Sequence, residues 1–287
     1  MNFRQVRKKI KTIQNVRKIT RAMQMVAAVK MKKSQKVAQE GKPYQKMLEK
    51  IIRRILPTVD LSLSPLLKKN EPSSTDKNLY VFISTNKGLC GAFNFNLFKT
   101  ALTEVRFEKD DFIVLGKKAS NFILKMRGNI VADFSDQGPF VHSVSAIFSL
   151  LIDGFLNNQY GSVFLFYNQF LSTFSSEPRK EQLLPIVYPE ELISKIERTS
   201  EREYLIEPSP QKIIDPLIRD FLKEQIKSAI LNSEAAEHSA RMLSMKNATD
   251  NAADIIYSLT LLRNKLRQEG ITNELLDMVS AKLATED

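Results

Sequence analysis

At 287 residues the chain amounts to one large or two modest domains, long enough to bury a sizeable core. With 43% hydrophobic and 26% charged residues, whole-chain disorder is excluded; the single cysteine, Cys90, excludes an internal disulfide framework, and two histidines, His142 and His238, leave little for a zinc site. The formal charge of +11 is unevenly placed: residues 1–56 carry 17 basic and two acidic side chains, net +15, while the other 231 carry 26 basic and 30 acidic, net −4. Such density favours a partner surface of opposite sign over a merely solvated helix face.

Met1 to Ile13 alternates charged and apolar residues and has no hydrophobic stretch of the signal-peptide kind. It is rich in arginine and poor in acids, as organellar transit peptides are, but it has little serine and runs on into a longer helical pattern. The first 40 residues lack Gly and Pro. Phe3, Val6, Ile10, Ile13, Val16, Ile19, Met23 and Val26 predict a coiled-coil seam with a stammer-like step of three successive threes near Ile13. Like charges at i,i+4, such as Arg4/Lys8 and Arg17/Arg21, weigh against this helix standing alone, so a packing partner is required. A second helical stretch, Tyr44 to Leu56, resumes after Gly41 and Pro43. Leu61 to Asn78 reads as a linker.

The middle reads differently. Leu79–Ser84, Phe112–Leu115 and Ser162–Tyr167 are short apolar, β-branched and aromatic runs, alternating with helical stretches such as Lys117–Met126 and Val141–Leu156. That alternation predicts an α/β domain with a largely parallel sheet. The long uncharged run Gly154–Ser176 contains five Asn/Gln side chains, too costly for a lipid-facing span, so no transmembrane helix is expected. A second linker is expected around Glu207–Pro210. Leu217 to Glu269 then runs 53 residues without Gly or Pro and continues in pattern to Leu283. Its expected seam is small at Ala229, Ser233, Ala236 and Ala240 and bulkier at Ile255, Leu259, Leu262 and Leu266. Residues 210–287 carry 10 basic and 12 acidic side chains, complementing the N-terminal strip. Two long terminal helices pairing around an inserted domain is the natural inference.

No catalytic constellation is visible. Gly88-Leu89-Cys90-Gly91 lacks the third glycine of a dinucleotide fingerprint, and Gly116-Lys117-Lys118 has no hydroxyl residue after the lysine and no P-loop glycine at Asp111. Both glycine sites read as sharp strand-to-helix turns. Cys90 has no base close in sequence and reads as a small buried thiol; His142 and His238 read as capping or surface residues. Met23, Met25, Met31, Met242 and Met245 suit either seam packing or an adaptable partner surface.

Three segments together resemble the gamma subunit of F-type ATP synthases. They are Lys9 through Met23 running on to Met31, Ser84 through Asn94, and Ser233 through Ala252 with its Glu237-His-Ser-Ala-Arg-Met and Met245-Lys-Asn-Ala-Thr-Asp-Asn-Ala runs. The closing Ile271-Thr-x-Glu274-x-x-Asp277 fits the same pattern, while Ala281-Lys282, Arg263 and Asn86 depart from it.

The resemblance implies an antiparallel coiled coil of the terminal helices around an inserted Rossmann-like α/β domain, divided as 1–56 N-terminal helix, 57–78 linker, 79–206 α/β domain and 210–287 C-terminal helix. It implies a non-catalytic central-stalk rotor that couples ion flow to ATP synthesis or hydrolysis. The coil enters the ring of alpha and beta subunits, and the α/β domain binds the epsilon subunit and the c-subunit ring. By matching position, Met23 faces acidic beta-subunit lever loops, Arg267 and Gln268 touch a beta-subunit catch loop, and Thr272 and Glu274 take part in coupling. No cofactor is implied. The implied location is peripheral, on the cytoplasmic face of a bacterial plasma membrane. A nucleic-acid binder and a small-molecule enzyme are the rival readings. The first is disfavoured because basic block and seam share one segment, the second because both glycine motifs are broken.

Overall fold

The computed structural model describes residues 2–56, 66–67, 77–186 and 206–286, with side chains described to residue 281. The chain runs α1 (Phe3–Ile55), β1 (Asn78–Ile83), α2 (Phe93–Glu104), β2 (Asp111–Leu115), α3 (Lys117–Lys125), β3 (Asn129–Asp133), a single 3₁₀ turn leading into α4 (Val144–Leu156), β4 (Ser162–Ser172), β5 (Ser175–Leu184) and α5 (Pro210–Glu286). Most of the first expected linker and residues 187–205 lie outside the described residues. Among the described residues no helix is long and apolar enough to cross a membrane. The chain divides into two compact units, Met1–Ala28 with Arg241–Asp287, and Val29–Ala240.

The larger unit holds the α/β domain. Its five-stranded sheet has the order β3-β2-β1-β4-β5; β1 pairs β2 and β4 in parallel, β2 pairs β3 in parallel, and β5 returns antiparallel beside β4. β1 and β2 are buried almost throughout, which explains their unbroken apolar runs. β3 (NIVAD) and β5 (SSEPRKEQLL) alternate or carry charge because they form the edges, so apolar-run searching misses them. One sheet face is covered by α2 and α3 through an aromatic layer: Tyr80 stacks between Phe112 and Phe164, Phe82 on Phe166, and Phe98 on Phe122 at 4.3 Å. The Lys180 ammonium lies 4.5 Å from the Phe164 ring centre. On the other face, α4 packs in one continuous core with Leu48, Ile52 and Ile55 of α1 and Ile214, Ile218, Leu222 and Ile226 of α5. The N-terminal edge of the sheet is pinned by Asp111, which accepts from Asn129 Nδ2 (2.7 Å) and the Tyr160 hydroxyl (2.9 Å) and pairs with Lys77 (2.8 Å).

Two expectations for α1 are corrected. The helix is continuous through Gly41 and Pro43. Pro43 lies on the exposed face and costs one backbone bond, about 3 kcal/mol. Packing on both sides of it carries the helix through. The seam also differs from the expected one. At heptad spacing, the buried or half-buried positions in the smaller unit are Val6, Ile10, Ile13, Thr20, Gln24 and Ala27; in the larger unit they continue as Met31, Ser34, Ala38, Gly41, Gln45, Leu48, Ile52 and Ile55. This is an unbroken 4-3 heptad series with Arg17 alone turned outward, so there is no stammer. Phe3, Val16, Ile19 and Val26, expected in the seam, are 39%, 45%, 59% and 57% exposed.

α5 matches that rhythm. In the smaller unit Met245, Thr249, Ala252, Ile256, Leu259, Arg263, Leu266 and Gly270 turn inward at heptad spacing, whereas Ile255 and Leu262, expected inward, are exposed. In the larger unit Ala229, Ser233 and Ala236 are buried as expected. Gly41 lets α5 approach there: a methyl group at residue 41 would stand 3.2 Å from Glu224 Oε1. Ser34 donates to Glu234 on α5, so rising numbers on α1 meet falling numbers on α5, the antiparallel sense. Burial pushes the Glu234 carboxyl above the ordinary glutamate range and Glu237 adds to this, while Ser34 and Lys30 oppose it.

Because its folded pKa is raised, Glu234 binds its proton more tightly in the folded state, and its contribution to stability falls as pH rises through that value. Glu234→Gln should therefore raise the urea midpoint at pH 7.5, with the advantage shrinking as pH falls into the carboxylate range. At the β2–α3 turn, Gly116 has φ +100°, and an added methyl would meet the Ser84 carbonyl oxygen at 2.5 Å. Gly116→Ala should cost at least about 2 kcal/mol by urea denaturation. Gly88→Ala, where no atom lies within 4 Å, should be nearly neutral.

Candidate partner surface of the terminal helices

In the smaller unit the helices meet around Thr20 through small and hydroxyl side chains, while bulkier Val6, Ile10, Leu259 and Leu266 turn inward farther along. Thr20 and Thr249, both buried, share a hydroxyl–hydroxyl hydrogen bond of 2.8 Å, flanked by Ala27 and Ala252. The consequence is an outward apolar stripe on α1, with Val16, Ile19 and Val26 exposed and Met23 half-buried at its margin, while Arg17, Lys18 and Arg21 are exposed on other faces of the same turns. Met25, 56% exposed, stands beside it, whereas Met31 and Met245 are buried seam residues. A helix with an apolar stripe on one face and exposed arginine and lysine on others suits a partner that offers both apolar and acidic surface. Sequence reading placed these residues inside; the signal that would have found them is the rival 4-3 series through Thr20 and Ala27.

The other candidate residues lie on the exposed last turns of α5. Arg267, Gln268, Thr272 and Glu274 are all exposed; Thr272 Oγ1 donates to the Gln268 carbonyl (3.0 Å), and Gln268 and Thr272 line a shallow depression with Lys265, Glu269 and Asn273. Thr20 lies level with Thr249, so Met23 is roughly 30 Å along the axis from Arg267. The five residues thus form two groups at different levels, not one site. Beyond Gly270, Ile271, Leu275, Leu276, Met278 and Val279 are 50–62% exposed and make a second apolar surface.

Among the described residues the α/β domain offers no competing site. The strand order switches direction between β1 and β4, where open α/β sheets receive ligands at the strand ends. Here that place is filled by the chain itself. Cys90 and Phe93 after β1 pack on Ala236 and Ala240 of α5 and on Phe170 of β4, Asn168 Nδ2 donates to the Phe93 carbonyl (3.3 Å), and the Ser239 hydroxyl donates to the Thr173 carbonyl. Cys90 is a buried thiol beside Asn94 Nδ2 (3.4 Å). At the neighbouring strand ends, Asn86 Oδ1 accepts from the Lys117 backbone N–H (2.9 Å) and the Lys117 ammonium pairs with Asp136 (2.7 Å). Burial works against ionisation of Asp133, but hydrogen bonds from Ser135 and Ser120 and the charge of Lys117 outweigh it and hold the carboxyl below its usual range. An acid so ionised is no proton donor near neutrality. Among the described residues no His, Cys, Asp and Glu cluster could hold a metal ion.

Comparison with known proteins agrees with this arrangement. Residues 2–284 match the family model described as ATP synthase. The ATP synthase gamma chain of Glaesserella parasuis is 36% identical over 289 residues, covering 98% of each chain. That of Akkermansia muciniphila is 35% identical over 294 residues, covering 99% of each. Among solved structures, a chain of the Euglena gracilis mitochondrial ATP synthase OSCP/F1/c-ring assembly has a TM-score of 0.66 at 20% identity, covering 99% of this chain and 94% of its own. A chain of the Tetrahymena thermophila mitochondrial ATP synthase central stalk and c-ring has a TM-score of 0.54 at 26% identity, covering 80% of this chain and 99% of its own. From one terminal helix to the other, the chain belongs to the ATP synthase gamma-chain family.

Proposed function

We propose that this chain is the central-stalk rotor of an F-type ATP synthase and contributes no catalytic side chain of its own. The paired helices carry exposed apolar residues and a strongly basic N-terminal segment, in a chain that matches gamma chains end to end; this observation carries the reading. The coil turns inside the ring of alpha and beta subunits, and the α/β domain meets the epsilon subunit and the c-ring. Ion flow through the membrane sector drives the turning. The complex lies at the cytoplasmic face of a bacterial membrane, with this chain peripheral to the lipid.

The mechanism is differential contact. A ring subunit changes its nucleotide affinity only if the rotor's interaction with its conformations differs, and an asymmetric coil supplies different contacts at each angle. The stripe of Val16, Ile19 and Val26 with Met23 bears on apolar ring surface and slides without the directional penalty of hydrogen bonds. Arg17, Lys18 and Arg21 attract acidic lever loops over a Debye length of about 8 Å, so attraction persists between dwell positions. Arg267 and Gln268 take a catch loop at the second level, and Thr272 and Glu274 contribute to coupling near the tip. The crevice of the α/β domain, filled by α5, supports the absence of a nucleotide site on this chain.

Reconstituted with its alpha, beta, epsilon and membrane subunits, the full chain should support ATP-driven ion pumping; deletion of residues 1–33 should abolish it, and intact coupling after that deletion sinks the reading. Arg267→Ala should lower coupled ATP synthesis roughly tenfold while the complex still assembles, the scale of one charge-assisted contact.

A further inference from the structure

α1 has two faces that compete for its seam. One contains Thr20, Gln24 and Ala27 and is used; the neighbouring one contains Val16, Ile19 and Val26 and is left exposed. Within residues 16–27 apolar burial favours the second, although Val6 and Ile10 before this stretch and Met31 after it bury with the first, so the competition is local. Rolling α1 by one residue position, about 100° about its own axis, exchanges them. Something specific must therefore hold the observed face against that preference.

We propose that Thr20 and Thr249 are a positioning pair that fixes the azimuth of α1 against α5 and so keeps the partner-facing stripe outward; this rests on the rotor reading. Each hydroxyl has one proton. Thr249 Oγ1 also reaches the Met245 carbonyl of its own helix (2.8 Å) and Thr20 Oγ1 the Arg17 carbonyl of its own (3.1 Å), so either hydroxyl can donate across while the other donates within its helix. With Thr20 rolled away, its hydroxyl turns to the Arg17 carbonyl, which already stands 3.1 Å away. The fallback removes the penalty of an orphaned buried donor, so the pin is selective but breakable. Ala27 and Ala252 support it by size, since small residues permit the close approach that a 2.8 Å bond between two β-branched side chains requires. Single buried polar contacts specify register in coiled coils in the same way.

The test uses the complete complex with Cys90→Ser and spin labels at Gln14→Cys and Asp250→Cys, both exposed positions of the smaller unit. Thr20→Val and Thr249→Val keep the branched shape and remove the cross-helix bond; Thr20→Ser keeps the hydroxyl. Either valine variant should move or broaden the label separation by about 5 Å, the scale of a roll at the helix surface. Ions pumped per ATP hydrolysed should fall several-fold, and Thr20→Ser should restore both readings. An unchanged, narrow distance distribution in both valine variants overturns the proposal. So does a shifted distribution with full pumping, because the azimuth then does not matter to coupling. If the complex with unsubstituted Thr20 and Thr249 pumps nothing, it is the rotor reading that fails, and the distances still decide whether the pair sets the azimuth.

Discussion

The constraint on which the rest of this chain depends is the close contact of two long helices through small side chains. A seam of Thr20, Ala27, Thr249 and Ala252 buries little apolar area, so it gains less from water exclusion than a leucine seam. What it gains is proximity, and with proximity a hydroxyl–hydroxyl bond and dense contact along the interface. The bulky residues are released outward, each left exposed at a cost of about 1.5–3 kcal/mol against full burial. A stable isolated protein would not be built so. A protein whose partner covers that stripe would be, and the exposed apolar end of α5 follows the same logic.

The larger unit secures what the helix pair alone cannot. Leu48, Ile52 and Ile55 of α1 and Ile214 to Ile230 of α5 enter the same core as α4 and the sheet, so both helices are tied to the α/β domain by buried aliphatic area. Within the larger unit the two helices also meet at Ser34 with Glu234 and at Gly41 beside Glu224. The Glu224 carboxylate is held by Lys227 at 3.1 Å from both oxygens, which limits the cost of its burial. Stability is thus concentrated where the helices meet the sheet and is thinner along the coil. That distribution suits a part that must keep its faces in place while contacts around it change.

The α/β domain shows how a fold can retain an architecture without its usual ligand crevice. Parallel order and a switch between β1 and β4 would ordinarily leave an opening at the strand ends, but Ala236 and Ala240 of α5 occupy it over Cys90 and Phe93. Small side chains on α5 again permit the approach. The glycine turns that resemble phosphate loops serve backbone geometry instead: Gly116 has φ +100° and leaves no room for a methyl group beside Ser84.

By itself the sequence determined the helical ends, the α/β middle, the concentration of positive charge and the family. Each is a local or compositional signal: freedom from Gly and Pro, β-branched runs, a net of +15 over 56 residues, and motifs along the chain. It missed β3 and β5 because edge strands carry charge, and it read a break at Pro43 because a proline's cost is local while the packing that outweighs it is not. Which face of α1 turns inward was decided only in the tertiary structure. Hydrophobic periodicity ranks faces by apolar content, whereas two helices choose the face that lets them come closest, and that depends on Thr249 and Ala252, more than 200 residues away.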